Sequence, residues 1–346
     1  MGKLAKIPDL LPPNSLLHNR FLVVKRLGSG GFGQASVPQW AFSTQFPLFL
    51  QVFRGRDLGR KKFVAIKSEI RFRNPNDGDP RRLIIEQKVL IALRGKASAR
   101  HIPLIFASGK SEKSNPYIVM MLLGETLDDL RTKRESRRFS LSTTIRASQQ
   151  LLVGMEYLHN AGFIHRDLKP CNACVGNKDP RSVYIIDFGM CRQIVIDGQR
   201  RPARRKAHFR GTYRYASARM HAKKECGPAD DVVSWLYSMI EMHVGVLPWA
   251  QVGDHTRIHS IKKDIPLDVL CRGMPPPFEA SCEYVIALTA DEPVDYDRVH
   301  TLWRSCLSSV AEYTRRFDWE ESDEGIDALS TSQSARAPPQ KKSAHG

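Results

Sequence analysis

Several side chains suited to phosphate chemistry crowd one short run, His165-Arg166-Asp167-Leu168-Lys169-Pro170-Cys171-Asn172. Asp167 is suited to accept a hydroxyl proton and orient the oxygen as a nucleophile. Lys169 is suited to neutralise charge on a transferring phosphoryl group. Asn172, five residues beyond Asp167, offers an amide oxygen to a magnesium ion. Downstream, Asp187-Phe188-Gly189 supplies a second metal-binding carboxylate. Upstream, Gly28-Ser29-Gly30-Gly31-Phe32-Gly33 has the spacing of a glycine loop. Glycines there let the backbone approach phosphate oxygens and aim N–H groups at them. Lys67 ends the apolar run Val64-Ala65-Ile66-Lys67, which fixes one ammonium at a set height beside that loop. It needs a carboxylate to hold it, and Glu86 is placed to serve. Together these residues form a set for moving a phosphoryl group.

Such residues work only if regular elements hold them in place. Phe21–Leu27 is apolar and β-branched and reads as a strand running into the glycine loop. Phe63–Lys67 reads as another strand, and Leu83–Leu93 as a helix carrying Glu86. Tyr117–Leu122 is a continuous apolar run, hence a buried strand. Leu141–His159 is helical, with Ile145, Leu151, Leu152, Met155 and Leu158 on one face and Ser140 or Ser142 as its cap. Val183–Ile186 is a strand that delivers Asp187, and Val232–Val244 is an apolar helix central to the second half. Strands come first and helices after, which predicts a small β-rich lobe followed by a larger α-rich one.

Length and composition bound the rest. The 346 residues are 42% hydrophobic and 8% aromatic, enough for a large core, and they exclude a wholly disordered or collagen-like chain. No run of about 18 apolar residues exists, so no membrane span is expected. Met1–Leu11 is mixed and broken by Pro8, unlike a secretory signal. The seven cysteines show no disulfide framework, which points to a reducing compartment, cytoplasmic or nuclear. The net charge of +17 first suggests a polyanionic partner.

In order, spacing and setting, these motifs resemble a eukaryotic protein kinase over roughly residues 18–315. The resemblance implies an α+β, two-lobed kinase fold, with an N-lobe at about 18–120, a hinge at 121–124 and a C-lobe at 125–315. It implies ATP and Mg2+ as cofactors. Asp167-Leu168-Lys169 is the serine/threonine form, and Thr212 is placed like the threonine that bridges the catalytic Asp and Lys. Tyr215-Ala216-Ser217 stands where most kinases carry Ala-Pro-Glu, as in the casein kinase 1 family. Leu141-Ser142-Thr143-Thr144, Phe209-Arg210-Gly211-Thr212 and Leu247-Pro248-Trp249 look most like its tau-tubulin kinase branch. By the same resemblance Met120 is the gatekeeper, and Leu122 and Leu123 lie in the adenine-pairing hinge. Val52 and Ala65 belong to the adenine pocket, and Asp231 braces the catalytic loop. His165 is expected to pack behind that loop rather than to transfer protons. Val233 and Trp235 read as core.

Two departures shape the expected function. Residues 187–217 carry eight basic side chains against two acidic, a net +6, and Arg214 matches the family's anion-binding arginine. With Arg210 nearby it is expected to hold an acidic or phosphorylated side chain beside the target serine or threonine. The other departure is Ala35–Gln51, which has no charged residue and includes Trp40 and three Phe within what should be a tight hairpin. Joining Gln34 to Val52 restores the family's Gly-x-Val pattern, so the segment reads as a retained intron. A genuine insertion would instead favour a pseudokinase scaffold. Residues 1–17 read as a lead-in and 316–346 as a disordered tail. The expected partners are protein substrates with acidic or phosphorylated motifs, with no specific nucleic acid, no membrane and a monomeric chain.

Overall fold

The computed structural model describes residues 9–30, 50–69, 82–94, 100–204 and 207–320. The small lobe is built on an antiparallel sheet with strand order β1-β2-β3-β4-β6-β5. Its strands are β1 (Leu16–Leu17), β2 (Phe21–Gly30), β3 (Leu50–Asp57), β4 (Lys62–Glu69), β5 (Ile105–Lys110) and β6 (Pro116–Met121). Successive side chains of a strand face opposite ways, and β4 shows the use of this. Val64 and Ile66 enter an outer apolar cluster with Phe21, Val23, Phe53 and Val119. Ala65 joins the main core instead, and Lys67 alternates with Ile66 onto that same inner face. Leu10 and Leu11 of the lead-in are buried in the outer cluster.

Helix α1 (Arg82–Ala92) buries Leu83, Glu86, Val89 and Leu90, one face at helical spacing that carries a carboxylate among apolar residues. Glu69 at the end of β4 accepts the Leu83 N–H at 3.0 Å, satisfying one of the orphan donors of the first turn. Strand β7 (Leu123–Thr126) crosses to the large lobe and pairs with β9 (Ala173–Gly176), which pairs with β10 (Val183–Ile185); β8 is Phe163–Ile164.

The large lobe is helical. Helix α2 is Leu127–Lys133 and α3 is Leu141–Asn160; the latter is capped by Ser140, whose side chain accepts from Thr143 N. Ile145, Leu151, Leu152, Met155 and Leu158 are all buried, as the spacing predicts. Helix α4 is Ala218–His221 and α5 is Pro228–Val244. Proline at the start of α5 and left-handed Gly245 at its end set its bounds. It is buried nearly all round, including Val233 and Trp235. Helices α6 (His255–Asp264), α7 (Leu267–Leu270), α8 (Pro276–Ala287), α9 (Tyr296–Arg304) and α10 (Val310–Thr314) complete the lobe. The architecture is the expected α+β pair of lobes. Among the described residues no helix is long and apolar enough to cross a membrane.

The packed chain runs beyond Arg315. Phe317 is buried in the main core, and buried Asp318 accepts from Ser140 N at 2.5 Å and Ser140 Oγ at 2.8 Å. The start of α3 therefore anchors residues 317–320, which a composition rich in acidic and polar residues conceals. The rest of the expected tail, 321–346, lies outside the described residues. So do Ala35–Phe49 of the uncharged segment, but its last residues do not: Leu50 and Gln51 pair with Gly30 and Ser29 in the sheet. Gln51 is fully buried and its Oε1 accepts the Leu10 N–H at 2.7 Å.

Candidate active site

The catalytic loop carries little regular structure, and a buried carboxylate holds it. Asp231, in the first turn of α5, accepts the backbone N–H of His165 at 2.6 Å and of Arg166 at 2.7 Å. His159 from the end of α3 bonds the same carboxylate at 2.8 Å, and its other ring nitrogen meets the Tyr296 hydroxyl. Burial opposes the Asp231 charge, but the bonds from His159 and the His165 amide hold its pKa below the usual range. Arg166, immediately before Asp167, takes a left-handed backbone, φ 68°. His165 is fully buried. Its Nε2 meets the Ile186 carbonyl at 3.1 Å, Asp167 N–H reaches its Nδ1 at 3.3 Å, and its ring packs edge-on against Phe188.

Around Asp167 three of the expected catalytic residues meet. The Thr212 hydroxyl donates to Asp167 Oδ1 at 2.8 Å. Lys169 Nζ donates to Asp167 Oδ2 at 2.9 Å and to Thr212 Oγ1 at 2.8 Å. Asn172 Nδ2 donates to the Asp167 carbonyl at 2.8 Å and to Oδ2 at 3.2 Å. Asn172 thus spends its amine side on Asp167 and keeps its amide oxygen as a donor for a metal. Asp187 follows β10 in a left-handed conformation, φ 64°, at the start of a short 3₁₀ turn. Burial opposes its charge, yet Lys67, His165, Lys169 and Arg82 together lower its pKa, so it stays a carboxylate. A hard carboxylate and an amide oxygen suit magnesium.

From the small lobe, Lys67 Nζ reaches Glu86 Oε1 at 2.6 Å, both side chains being buried. Burial disfavours the ammonium, but Glu86 and then Asp187 outweigh it and raise the Lys67 pKa. Val52 pairs with Gly28 on the sheet beside Lys67, its partner on the other side. Met120, the expected gatekeeper, is buried and pairs with Ala65 across β4 and β6. Leu122 follows as the half-buried link between β6 and β7, and Leu123 pairs with Gly176. Gly28 and Gly30 lie at the end of β2, whereas Gly31, Phe32 and Gly33 lie outside the described residues.

The two arginines expected to share one anion have different surroundings. Arg214 Nη1 is bonded to buried Glu241 at 2.7 Å, and Tyr215 hydroxyl shares that carboxylate. Arg210 instead lines a cavity of about 330 Å³ between α1 and the segment after Asp187. Arg82, Lys88, Arg166, Arg192 and Arg204 line it too. Glu225 pairs with Arg192 and Arg204, both at 2.9 Å. Burial pushes the Arg166 guanidinium down to about 10, so it remains a cation near neutrality. Counting charge along 187–217 finds only part of this cluster, because Arg82, Lys88 and Arg166 come from other elements.

Two further positions escaped the sequence reading. Gly211 has φ 103°, and a Cβ there would meet the Arg166 carbonyl oxygen at 2.4 Å. Only glycine allows the segment before Thr212 to cross the catalytic loop so closely. Its place immediately before Thr212 was the available signal. Lys262 of α6 is buried beneath residues 213–216, and its spacing gave no hint of that.

Comparison with known proteins adds an independent line. A model of the protein kinase domain matches residues 49–309. A protein of Dictyostelium discoideum named "Probable serine/threonine-protein kinase" is 32% identical over 310 residues, covering 88% of this chain and 57% of that protein. A Caenorhabditis elegans protein named "Putative casein kinase I" is 35% identical over 254 residues, 72% of this chain and 68% of the relative. Another from the same organism, named "Putative serine/threonine-protein kinase", is 31% identical over 322 residues, 90% of this chain and 85% of the relative. The chain thus spans little more than half the length of the Dictyostelium relative.

Proposed function

The chain belongs to the protein kinase family, and from that premise we propose that it transfers the ATP γ-phosphoryl group to serine or threonine of acidic or already phosphorylated proteins, in the manner of the casein kinase 1 family and its tau-tubulin branch. The observation that carries the reading is the closed Asp167–Lys169–Thr212 triangle. Tyr215-Ala216-Ser217 and the similarity to a "Putative casein kinase I" support the branch. The basic cavity beside Arg166 supports the substrate class.

In this reading Lys67, held by Glu86, binds and orients the phosphates of ATP. Asp187 and Asn172 Oδ1 would hold magnesium, which supplies charge neutralisation when bound. Asp167 accepts the hydrogen bond of the acceptor hydroxyl and receives its proton as the new O–P bond forms and the bond to the ADP oxygen breaks. Lys169 stabilises charge on the phosphoryl group in flight. Catalysis is then positioning plus electrostatics.

The test is transfer of labelled phosphate from ATP to matched serine peptides, one bearing a phosphoserine and one not. Wild type is expected to favour the phosphorylated peptide. Asp167→Asn should lower turnover by about 10²–10⁴-fold. Equal rates on both peptides would remove the substrate class. Equal rates for wild type and Asp167→Asn would favour a scaffold over a kinase.

A further inference from the structure

Beneath the substrate side of the site lies a cation that the chemistry above does not use. Lys262 sits on α6 and is only 6% exposed. Its Nζ donates to the backbone carbonyls of Tyr213 at 2.8 Å, Arg214 at 3.0 Å and Ala216 at 2.7 Å. An ammonium has three N–H donors, so each finds one carbonyl. The rings of Trp249 and Tyr237 flank it at 4.7 and 5.0 Å from their centroids, a favourable setting for a cation. Among the described residues no carboxylate stands within ion-pair distance of it. The Trp249 indole N–H adds a second donor to the Arg214 carbonyl at 2.8 Å.

The segment held this way begins one residue after Thr212, which touches Asp167. It ends at Ser217, whose side chain caps α4 and donates to Asp230. Residues 213–216 are therefore tied to the catalytic carboxylate at one end, to α4 at the other and to a single ammonium in the middle. We propose that Lys262 is a positioning residue for the protein substrate: by gathering three carbonyls it sets the height and register of the 213–216 lip across which an acceptor chain must lie to reach Asp167. This rests on the kinase reading above. Lys262 makes no contact with Lys67, Glu86 or the hinge, so its effect should fall on the acceptor and not on ATP.

The experiment compares full-length wild type, Lys262→Met, Lys262→Arg and Trp249→Phe. A serine peptide rich in Asp and Glu serves as acceptor, and backbone hydrogen exchange is measured in parallel. Lys262→Met should raise the peptide KM by about tenfold, the scale of lost hydrogen bonds to the lip, while the ATP KM stays within about twofold. Exchange should quicken at 213–217 and stay unchanged in 232–244. Lys262→Arg, which keeps a cation and N–H donors, should restore most of both. A folded Lys262→Met with wild-type peptide KM and wild-type exchange at 213–217 overturns the proposal. So does an equal loss for peptide and ATP. If Lys262→Met does not fold, Trp249→Phe decides: a smaller shift in the same direction supports the idea, and none overturns it. Should wild type itself transfer no phosphate, the kinase reading fails, whereas the exchange data still judge Lys262.

Discussion

Each lobe buries one lysine near the site, and the two are stabilised by opposite means. Lys67 in the small lobe faces carboxylates, Glu86 at 2.6 Å and Asp187 beyond it, and its pKa rises in spite of burial. Lys262 in the large lobe faces carbonyl dipoles, aromatic rings and the His221 ring nitrogen, with no carboxylate in ion-pair reach among the described residues, and burial drives its pKa well below the ordinary value. Charge–charge partners suit a group that must receive a polyanion from solution, because a phosphate joins an existing arrangement of charges. Neutral backbone partners suit a permanent fastening, because nothing has to be exchanged. On the proposed reading, the small-lobe lysine is part of the binding site and the large-lobe lysine is part of the frame.

Lys67→Met should break the comparison most severely. It removes the phosphate-binding cation, and loss of one preorganised electrostatic donor lowers turnover by about 10²–10³-fold. It also strands Glu86 in the interior, where an uncompensated charge costs about 3–5 kcal/mol. Adding Glu86→Leu should return much of that stability by thermal unfolding and none of the activity. Hydrogen exchange at 213–217 should remain at wild-type rates in both variants. Faster exchange there would mean that the two lobes do not hold their lysines independently.

Gly211→Ala tests the large-lobe side without touching any charge. Its φ of 103° and the 2.4 Å approach to the Arg166 carbonyl leave a Cβ no room. Backbone strain of this kind costs about 1–3 kcal/mol, or roughly a 5- to 160-fold loss if all of it falls on catalysis. The loss should appear mainly in kcat, because Thr212 leaves its bonds to Asp167 and Lys169 while the Lys67 side of ATP binding is intact. An unchanged kcat would show that the crossing of 211 over the catalytic loop is not needed.

The same division separates what could be read from the sequence and what could not. Lys67 and Glu86 stand on a strand and a helix whose apolar periods are local, so β4 and α1 were legible with their functional residues in place. Asp167, Lys169, Asn172 and Asp187 were legible as motifs, although they stand on loops that show no period. What holds those loops leaves no local pattern, and Asp231 was legible only through the family resemblance. The Asp231 bonds to the amides of 165 and 166 span more than sixty residues, as the bonds show at separations of 66 and 65. Lys262 looks from its neighbours like one more surface residue of a basic helix. Arg214 looked free to bind an anion because nothing nearby in sequence announces Glu241, 27 residues on. Long-range polar bonds leave no local signature, whereas buried faces of helices and strands do.

The smallest expected effect is a pH dependence, and it bears on the lip alone. His221, at the end of α4, reaches the Tyr213 carbonyl with Nε2 at 3.2 Å and lies 3.4 Å from Lys262 Nζ. His255 and His259 of α6 also face this cluster. Burial, then the charge on Lys262, pushes the His221 pKa down to about 4 from the ordinary 6.5. A histidine depressed in the folded state binds more protons when unfolded between those values, so stability must fall as pH falls through that window. The contribution is complete above about pH 6.5, declines toward pH 4, and changes no further below it. His221 is only partly buried, so solvent screening keeps the effect modest. Thermal unfolding of wild type and His221→Gln between pH 7.5 and 4.5 should show a shallower decline in the variant. Parallel curves would place the acid sensitivity of this window in groups other than His221; Asp187 and Asp231, with their lowered pKa values, remove stability only at still lower pH.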